Sequence, residues 1–180
     1  MLDEYGFEKF EENPFPLAYL LTFRTFGTWL HGDQRGANQR IRKEPHSTPY
    51  VAPNVPLHER MTESLRHEPT ILDPAQRELV AAAIHEVCTH RRYRISALNV
   101  RSNHTHAVVS AMVKPEKIVN EFKVYSTRKL RREKTFSDER VIWSRGASTR
   151  YLWKPRNIEA AIEYVLYSQG DIPPETIFVD

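Results

Sequence analysis

The sequence predicts an α+β fold: a ferredoxin-like (RRM-like) antiparallel sheet with helices on one face, followed by a further helix at the C-terminal end. Three observations predict it. Extended and helical patterns follow one another in the order strand, helix, strand, strand, helix, strand, which is the β-α-β-β-α-β arrangement. The two middle strands, "RISALNV" and "HTHAVVSA", are separated only by Arg101-Ser102-Asn103, a spacing that suits an antiparallel hairpin. A last amphipathic segment beginning at Pro155 lies beyond that core.

Taken in order, "PLAYLLTFRTFG" (16–27) is rich in Leu, aromatic and Thr residues and ends at Gly27, as a strand does. Leu17, Tyr19, Leu21 and Phe23 share one face of it. From 31 to 70 the periodicity dissolves into a polar insertion with Pro45, Pro49, Pro53 and Pro56, long enough to be functional or disordered. Asp73, Pro74 and Gln76 then form a capping box with proline at the first helical position. Leu79, Val80, Ala83, Ile84, Val87 and Cys88 make one apolar stripe behind it. A second helix over 114–134 carries Ile118, Phe122 and Tyr125 along one side, and two short extended pieces surround Gly146. The final helix runs from Pro155 to a stop at Gly170. The sheet face without helices is left available for a partner.

Composition narrows the setting. A chain of 180 residues with 40% apolar content suits a single domain over 1–180, since domains most often run to ~100–150 residues. The lone cysteine, Cys88, rules out an internal disulfide framework and points to the reducing cytosol. The acidic N-terminal stretch lacks the basic and apolar regions of a signal peptide, and no window approaches the ~20 apolar residues of a membrane span. The expectation is a soluble, cytoplasmic protein with no membrane partner. A net charge of +3, from 26 basic and 23 acidic residues, does not by itself announce a nucleic-acid binder, so local clustering matters more.

Three clusters carry possible chemistry. His104 and His106, two apart on a strand, point the same way with Cα atoms ~6.5–7 Å apart, and two such imidazoles can converge on one metal ion or simply line a solvated strand face. A metal would need a third ligand from elsewhere. On the last helix, Ile158, Ile162, Val165 and Leu166 form the apolar stripe, and Gln169 falls on it. A glutamine there needs a partner for its amide, a metal or else backbone and water. Tyr164 flanks the stripe beside Ala161 and Ser168, whereas Tyr167 points nearly opposite the core; either could be an amphipathic tyrosine, but a nucleophile belongs at a groove edge, which favours Tyr164. Finally, Lys123, Arg128, Lys129, Arg131, Arg132 and Lys134 crowd one helix, as either a solvated charged face or a track for phosphates. Arg145 and Arg150 follow among Trp143, Tyr151 and Trp153, and interleaved arginine and aromatic residues suit single-stranded nucleic acid.

Taken together, "NHTHAVVSA", "FKVYSTRKL", "SRGASTRYLW" and "IEYVLYSQGD" resemble the single-tyrosine HUH transposases of insertion sequences and of repetitive extragenic palindromes. "TFRTFGTWLHGDQRG" looks like the opening strand and loop of one bacterial branch, so the resemblance covers about residues 17 to 170. It implies that His104 and His106 are metal ligands, that Tyr164 is the nucleophile and that Gln169 is the third ligand. The sequence departs from the pattern twice. Thr105 replaces a bulky apolar residue between the histidines, and Gln169 lies five residues after Tyr164 where four is usual, so its use as a ligand requires a bent or ending helix.

The activity so implied is metal-dependent cutting and strand transfer on single-stranded DNA through a 5′-phosphotyrosine intermediate. Mg²⁺ or Mn²⁺ would be the cofactor, hairpin-forming DNA the substrate and a homodimer the working unit. Lys123, Arg128, Lys129, Arg131, Arg132, Arg145 and Arg150 are the expected DNA contacts, with Lys123 or Arg128 as cations that could activate the tyrosine. Arg35, Arg40, Arg42 and Lys43 of the insertion could grip a hairpin or belong to a flexible loop. Two competing readings are a ferredoxin-like module that binds single-stranded nucleic acid without chemistry, and a metal-dependent hydrolase that uses water.

Overall fold

The computed structural model describes residues 14–30, 37–38, 50–51 and 54–168. Along them run β1 (Ala18–Arg24), β2 (Ala37–Asn38), β3 (Tyr50–Val51), α1 (Val55–Glu63), α2 (Pro74–Arg91), β4 (Arg94–Val100), β5 (His104–Ser110), α3 (Pro115–Arg132), β6 (Ser148–Leu152) and α4 (Pro155–Tyr167). The main sheet has the order β4-β5-β1-β6 with every neighbouring pair antiparallel. This is the ferredoxin-like arrangement the sequence predicts, and β2 and β3 form a small separate ladder.

The alternation of β1 sorts its residues between two cores. Tyr19, Leu21 and Phe23 face α2 and α3, burying Val80, Ile84, Ile118 and Phe122 between sheet and helices. Each such side chain contributes ~1.5–3 kcal/mol when fully buried. The stripe read on α2 is the buried one, and the Asp73 capping box is present, with Gln76 N donating to Asp73 Oδ1 at 2.8 Å and Asp73 N to Gln76 Oε1 at 3.0 Å. Cys88 belongs to this core, where burial pushes its thiol up to about 12.

The opposite face is not wholly open, as the sequence reading has it. Helix α4 packs there on Ala18, Ala97, Val108 and Leu152 through Ala161, Val165 and Leu166. Alanine on both sides lets the helix approach the sheet closely. A second departure lies in the insertion, where Val55–Glu63 is helical. Asn54 caps it, accepting from Leu57 N at 3.0 Å, and Pro56 sits in its first turn, where a missing N–H costs nothing. None of its residues is buried, so no apolar stripe announces it. Arg35, Arg40, Arg42 and Lys43 lie outside the described residues. No helix among the described residues is long and apolar enough to cross a membrane.

The ends of β1 and β5 are knitted to neighbouring loops. Phe26 N donates to Ile142 O at 2.9 Å and Thr70 N to Phe26 O at 2.8 Å. Gly27 between them has φ +73, and a Cβ there would meet Pro69 Cα at 3.1 Å. Gly27→Ala should therefore cost about 1–2 kcal/mol from the left-handed backbone alone, with crowding against Pro69 added. A urea titration showing an unchanged midpoint would contradict this.

Candidate active site

Strand β5 carries His104 and His106 on one face and Thr105, fully buried, on the other. The imidazoles stand edge to face with centroids 4.7 Å apart, and they look out on the α4 side of the sheet, because His106 alternates with Val108 of the core under that helix. Tyr164 projects from α4 toward them, its ring centroid 5.5 Å from that of His106 at an interplanar angle of 79°. It sits at the flank of the buried stripe and is 42% exposed, while Tyr167 is 71% exposed. The two tyrosines thus differ in the structure as their positions on the helical wheel predict. Histidines and tyrosine meet within one chain.

The register of the sheet supplies the surroundings. His106 stands opposite Thr22 on β1 and opposite Asn99 on β4, and His104 stands opposite Arg24. Thr22 Oγ1 is 2.8 Å from His106 Nδ1. Asn103 Oδ1, a carbonyl oxygen that can only accept, takes a hydrogen bond from His104 Nδ1 at 2.6 Å. In the neutral ring this contact places the proton on Nδ1 and the lone pair on Nε2. Asn103 is itself anchored, its backbone carbonyl accepting from Thr25 N at 3.0 Å, Thr25 Oγ1 at 3.1 Å and Thr28 Oγ1 at 3.2 Å.

This donor set fits a divalent cation. Metal-binding histidines commonly commit one ring nitrogen to an oriented partner and ligate through the other, and Thr22 and Asn103 supply that orientation for both rings. The ligating atoms would be the two Nε2. Among the described residues no His, Cys, Asp or Glu joins them in a group of three. Gln169, the expected third ligand, lies outside the described residues.

Asn99 ties the tyrosine helix to the histidine strand pair. It is 2% exposed, and its Nδ2 donates to Val165 O at 2.9 Å. In a longer helix that carbonyl would accept the N–H four residues on; α4 stops at Tyr167, with Ser168 as its C-cap, and the asparagine satisfies one of the carbonyls a helix end leaves over. The residue next to Tyr164 is thereby bonded to the strand position opposite His106.

The basic helix lies elsewhere. Helix α3 packs on the Tyr19–Leu21–Phe23 face, across the sheet from His106 and Tyr164, so Lys123 and Arg128 are not the cations beside the tyrosine. Lys123 Nζ donates to Ser144 O at 2.9 Å and to Gly146 O at 2.5 Å, and lies 5.8 Å from the centre of the Phe23 ring. Burial lowers its pKa, and it clasps the turn before β6. Arg128 lies over Tyr125 at 5.3 Å. Lys129 pairs with Glu86, Arg131 lies 3.9 Å from Asp138, and Arg132 lies 3.6 Å from Glu133. Arg145 and Arg150 are exposed.

The cation set opposite the pair is Arg24, whose guanidinium carbon lies 3.4 Å from the centre of the Trp29 ring. Sequence reasoning missed Thr22, Arg24, Asn99 and Asn103. Thr22, Arg24 and Asn99 matter through strand register, which no local pattern carries, whereas Asn103 adjoins His104 in sequence.

Comparison with known proteins completes the picture. The family model for IS200-like transposases matches residues 62–165, a span that includes both histidines and Tyr164. Solved structures with similar chains include a REP-associated tyrosine transposase bound to a REP hairpin (12% identity, 89% of this chain and 71% of that one, TM-score 0.49). Another is a transposase candidate from Deinococcus radiodurans (12% identity, 88% of this chain and 95% of that one, TM-score 0.47). No curated protein matches the chain. Because the family model takes in more than half of its length, the chain belongs to the IS200-like transposases, enzymes that act on DNA.

Proposed function

We propose that this protein cuts and rejoins single-stranded DNA by transesterification, with Tyr164 as nucleophile and His104 and His106 as ligands of Mg²⁺ or Mn²⁺. The observation that carries the reading is the packing of Tyr164 against His106, with ring centroids 5.5 Å apart, on the same sheet face. A divalent ion held there supplies Lewis-acid polarisation of the scissile phosphate.

The residues do the rest. Tyr164 attacks phosphorus in line, forming a P–O bond to its phenolic oxygen as the bond to the 3′-oxygen breaks. The phenolic proton passes to water, and the leaving oxygen takes one to become a 3′-hydroxyl. The linkage retained on Tyr164 is a 5′-phosphotyrosine, open to attack by the 3′-hydroxyl of another strand, so rejoining needs no nucleotide cofactor. Arg24, stacked on Trp29, would meet the developing phosphate charge, and a stacked guanidinium presents its N–H groups at its rim in a plane suited to phosphate oxygens. The substrate on this reading is hairpin-forming single-stranded DNA. A homodimer would hold two complete sites, since histidines and tyrosine meet within each chain.

The test uses hairpin oligonucleotides labelled at either end, incubated with the protein and Mn²⁺ and then denatured. A 3′-terminal label should stay with the protein, while a 5′-terminal label should appear on a shortened strand. Cleavage without any label on the protein would point to a hydrolase, and binding without cleavage to a non-catalytic module. Two positions around the histidines give graded outcomes. Thr22→Val keeps the shape but removes the oxygen that orients His106, and the Mn²⁺ concentration for half-maximal adduct should rise ~10-fold or more, the usual scale for such an orienting partner. Arg24→Ala should slow adduct formation at saturating Mn²⁺ by ~10-fold or more, the scale of one lost charge-assisted hydrogen bond; an unchanged rate would remove Arg24 from the site.

A further inference from the structure

The edge of the sheet beside the site carries a surface that the chemistry at Tyr164 does not use. Among the described residues, strand β6 pairs with β1 alone. Around it, Arg145, Arg150, Lys154 and Arg156 are all exposed, and no acidic residue occurs from 140 to 158. In a chain with 26 basic and 23 acidic residues, that is a local excess of one sign. Two aromatic side chains lie in the same strip. Tyr151 is 44% and Trp153 48% exposed, with rings 6.2 Å apart and only 19° from parallel.

The platform is held in place from beneath. Tyr151 packs edge to face on Tyr19 at 5.2 Å and 81°. Tyr19 is 1% exposed and its hydroxyl donates to Val113 O at 3.0 Å. An exposed aromatic ring seated on a buried, hydrogen-bonded one has little freedom left to lose on binding, which favours stacking by a ligand. Half-exposed aromatic rings of like orientation among arginines match the requirements of unpaired nucleotides, whose bases stack while their phosphates pair with guanidinium groups. A paired duplex does not offer its base faces in this way.

We propose that the β6 edge, with Tyr151 and Trp153 as stacking surfaces and Arg145, Arg150, Lys154 and Arg156 as phosphate contacts, binds the single-stranded flank that leads to the scissile linkage. Tyr151, seated on Tyr19, stands on the α2–α3 side of the sheet, while Arg150, opposite Leu20, faces the α4 side where Tyr164 lies, so a strand stacked on the rings would cross the exposed β6 edge toward the reacting residue. An open strand edge could instead pair with a second copy of the chain. Antiparallel pairing of β6 with itself, however, would bring like charges together, which disfavours it. The inference rests on the reading of the protein as one that takes single-stranded DNA.

The test measures binding of the full chain, in EDTA so that no cleavage occurs, to one hairpin bearing a single-stranded flank and to the same hairpin with a blunt end. Trp153→Ala should weaken the flanked hairpin about tenfold, the scale of one lost base stack, and leave the blunt one within twofold; Tyr151→Ala should act likewise. Trp153→Phe and Tyr151→Phe, which keep an aromatic face, should restore most of the affinity. Equal weakening of both DNAs, or no weakening, overturns the proposal. So does a Trp153→Ala protein whose DNA affinity is intact but whose sedimentation shifts from dimer to monomer, since the strip then serves a second copy. Flank-dependent binding by a protein that forms no adduct with Mn²⁺ would leave this surface standing and remove Tyr164 from its proposed role.

Discussion

Tyr164→Phe should abolish the covalent adduct with hairpin DNA, a loss of at least ~10³-fold of the kind that follows removal of a covalent nucleophile. The substitution deletes one oxygen from a side chain that is 42% exposed, so the fold and the packing of the ring on His106 should persist. Binding of the uncleaved oligonucleotide should therefore stay within a few-fold of the native protein. Tyr167→Phe is the matched control. That residue is 71% exposed, lies three positions further along α4, and should form adduct at close to the native rate. The reverse pattern would reassign the nucleophile. Cleavage that persists in Tyr164→Phe would mean that water attacks.

His106→Ala should be the second large effect. The ring is 5% exposed, packs between His104 and Tyr164, and is bonded to Thr22, so its loss removes a metal ligand together with the surface against which the tyrosine rests. Lewis-acid stabilisation by a catalytic metal amounts to several kcal/mol, which at one decade per ~1.4 kcal/mol places the expected fall in adduct rate at ~10²–10⁴-fold. DNA affinity, carried by surfaces elsewhere, should change far less. A module that only binds would show no rate to lose, and a His106→Ala protein that still forms adduct at the native rate would remove the metal from the mechanism.

Much of the architecture was legible because it rests on short-range chemistry. The capping box at Asp73, the alternation of β1, the three-residue turn between β4 and β5 and the stripe on α4 each follow from neighbours in sequence, and each recurs in the structure. The choice of Tyr164 over Tyr167 as the tyrosine beside the histidines was legible for the same reason, since a helical wheel separates them. What escaped was set by tertiary pairing. Thr22, Arg24 and Asn99 matter through the strand residues they stand opposite, and β1 and β5 are separated by some 80 residues of chain. Lys123 reads as one more charge in a basic helix, yet its ammonium is spent on the carbonyls of Ser144 and Gly146. Helix α1 gave no periodic signal because it buries nothing. Thr105 is instructive in another way. It faces the core as its alternation requires, but its hydroxyl is buried with no hydrogen-bond partner among the described residues.

The proposed mechanism requires that Tyr164 itself carry the 5′-phosphate of the cut strand. Its most direct test is to form the adduct with Mn²⁺ and a hairpin oligonucleotide, digest the DNA to a short remnant, cleave the protein with trypsin and sequence the modified peptide by tandem mass spectrometry. Residues 157–180 contain no Lys or Arg, so Tyr164 and Tyr167 fall in one peptide and fragment ions between them must locate the added mass. The expected product is a nucleotide remnant joined through its 5′-phosphate to Tyr164, with Tyr167 unmodified. The same remnant on Tyr167, or on no tyrosine of that peptide, would contradict it.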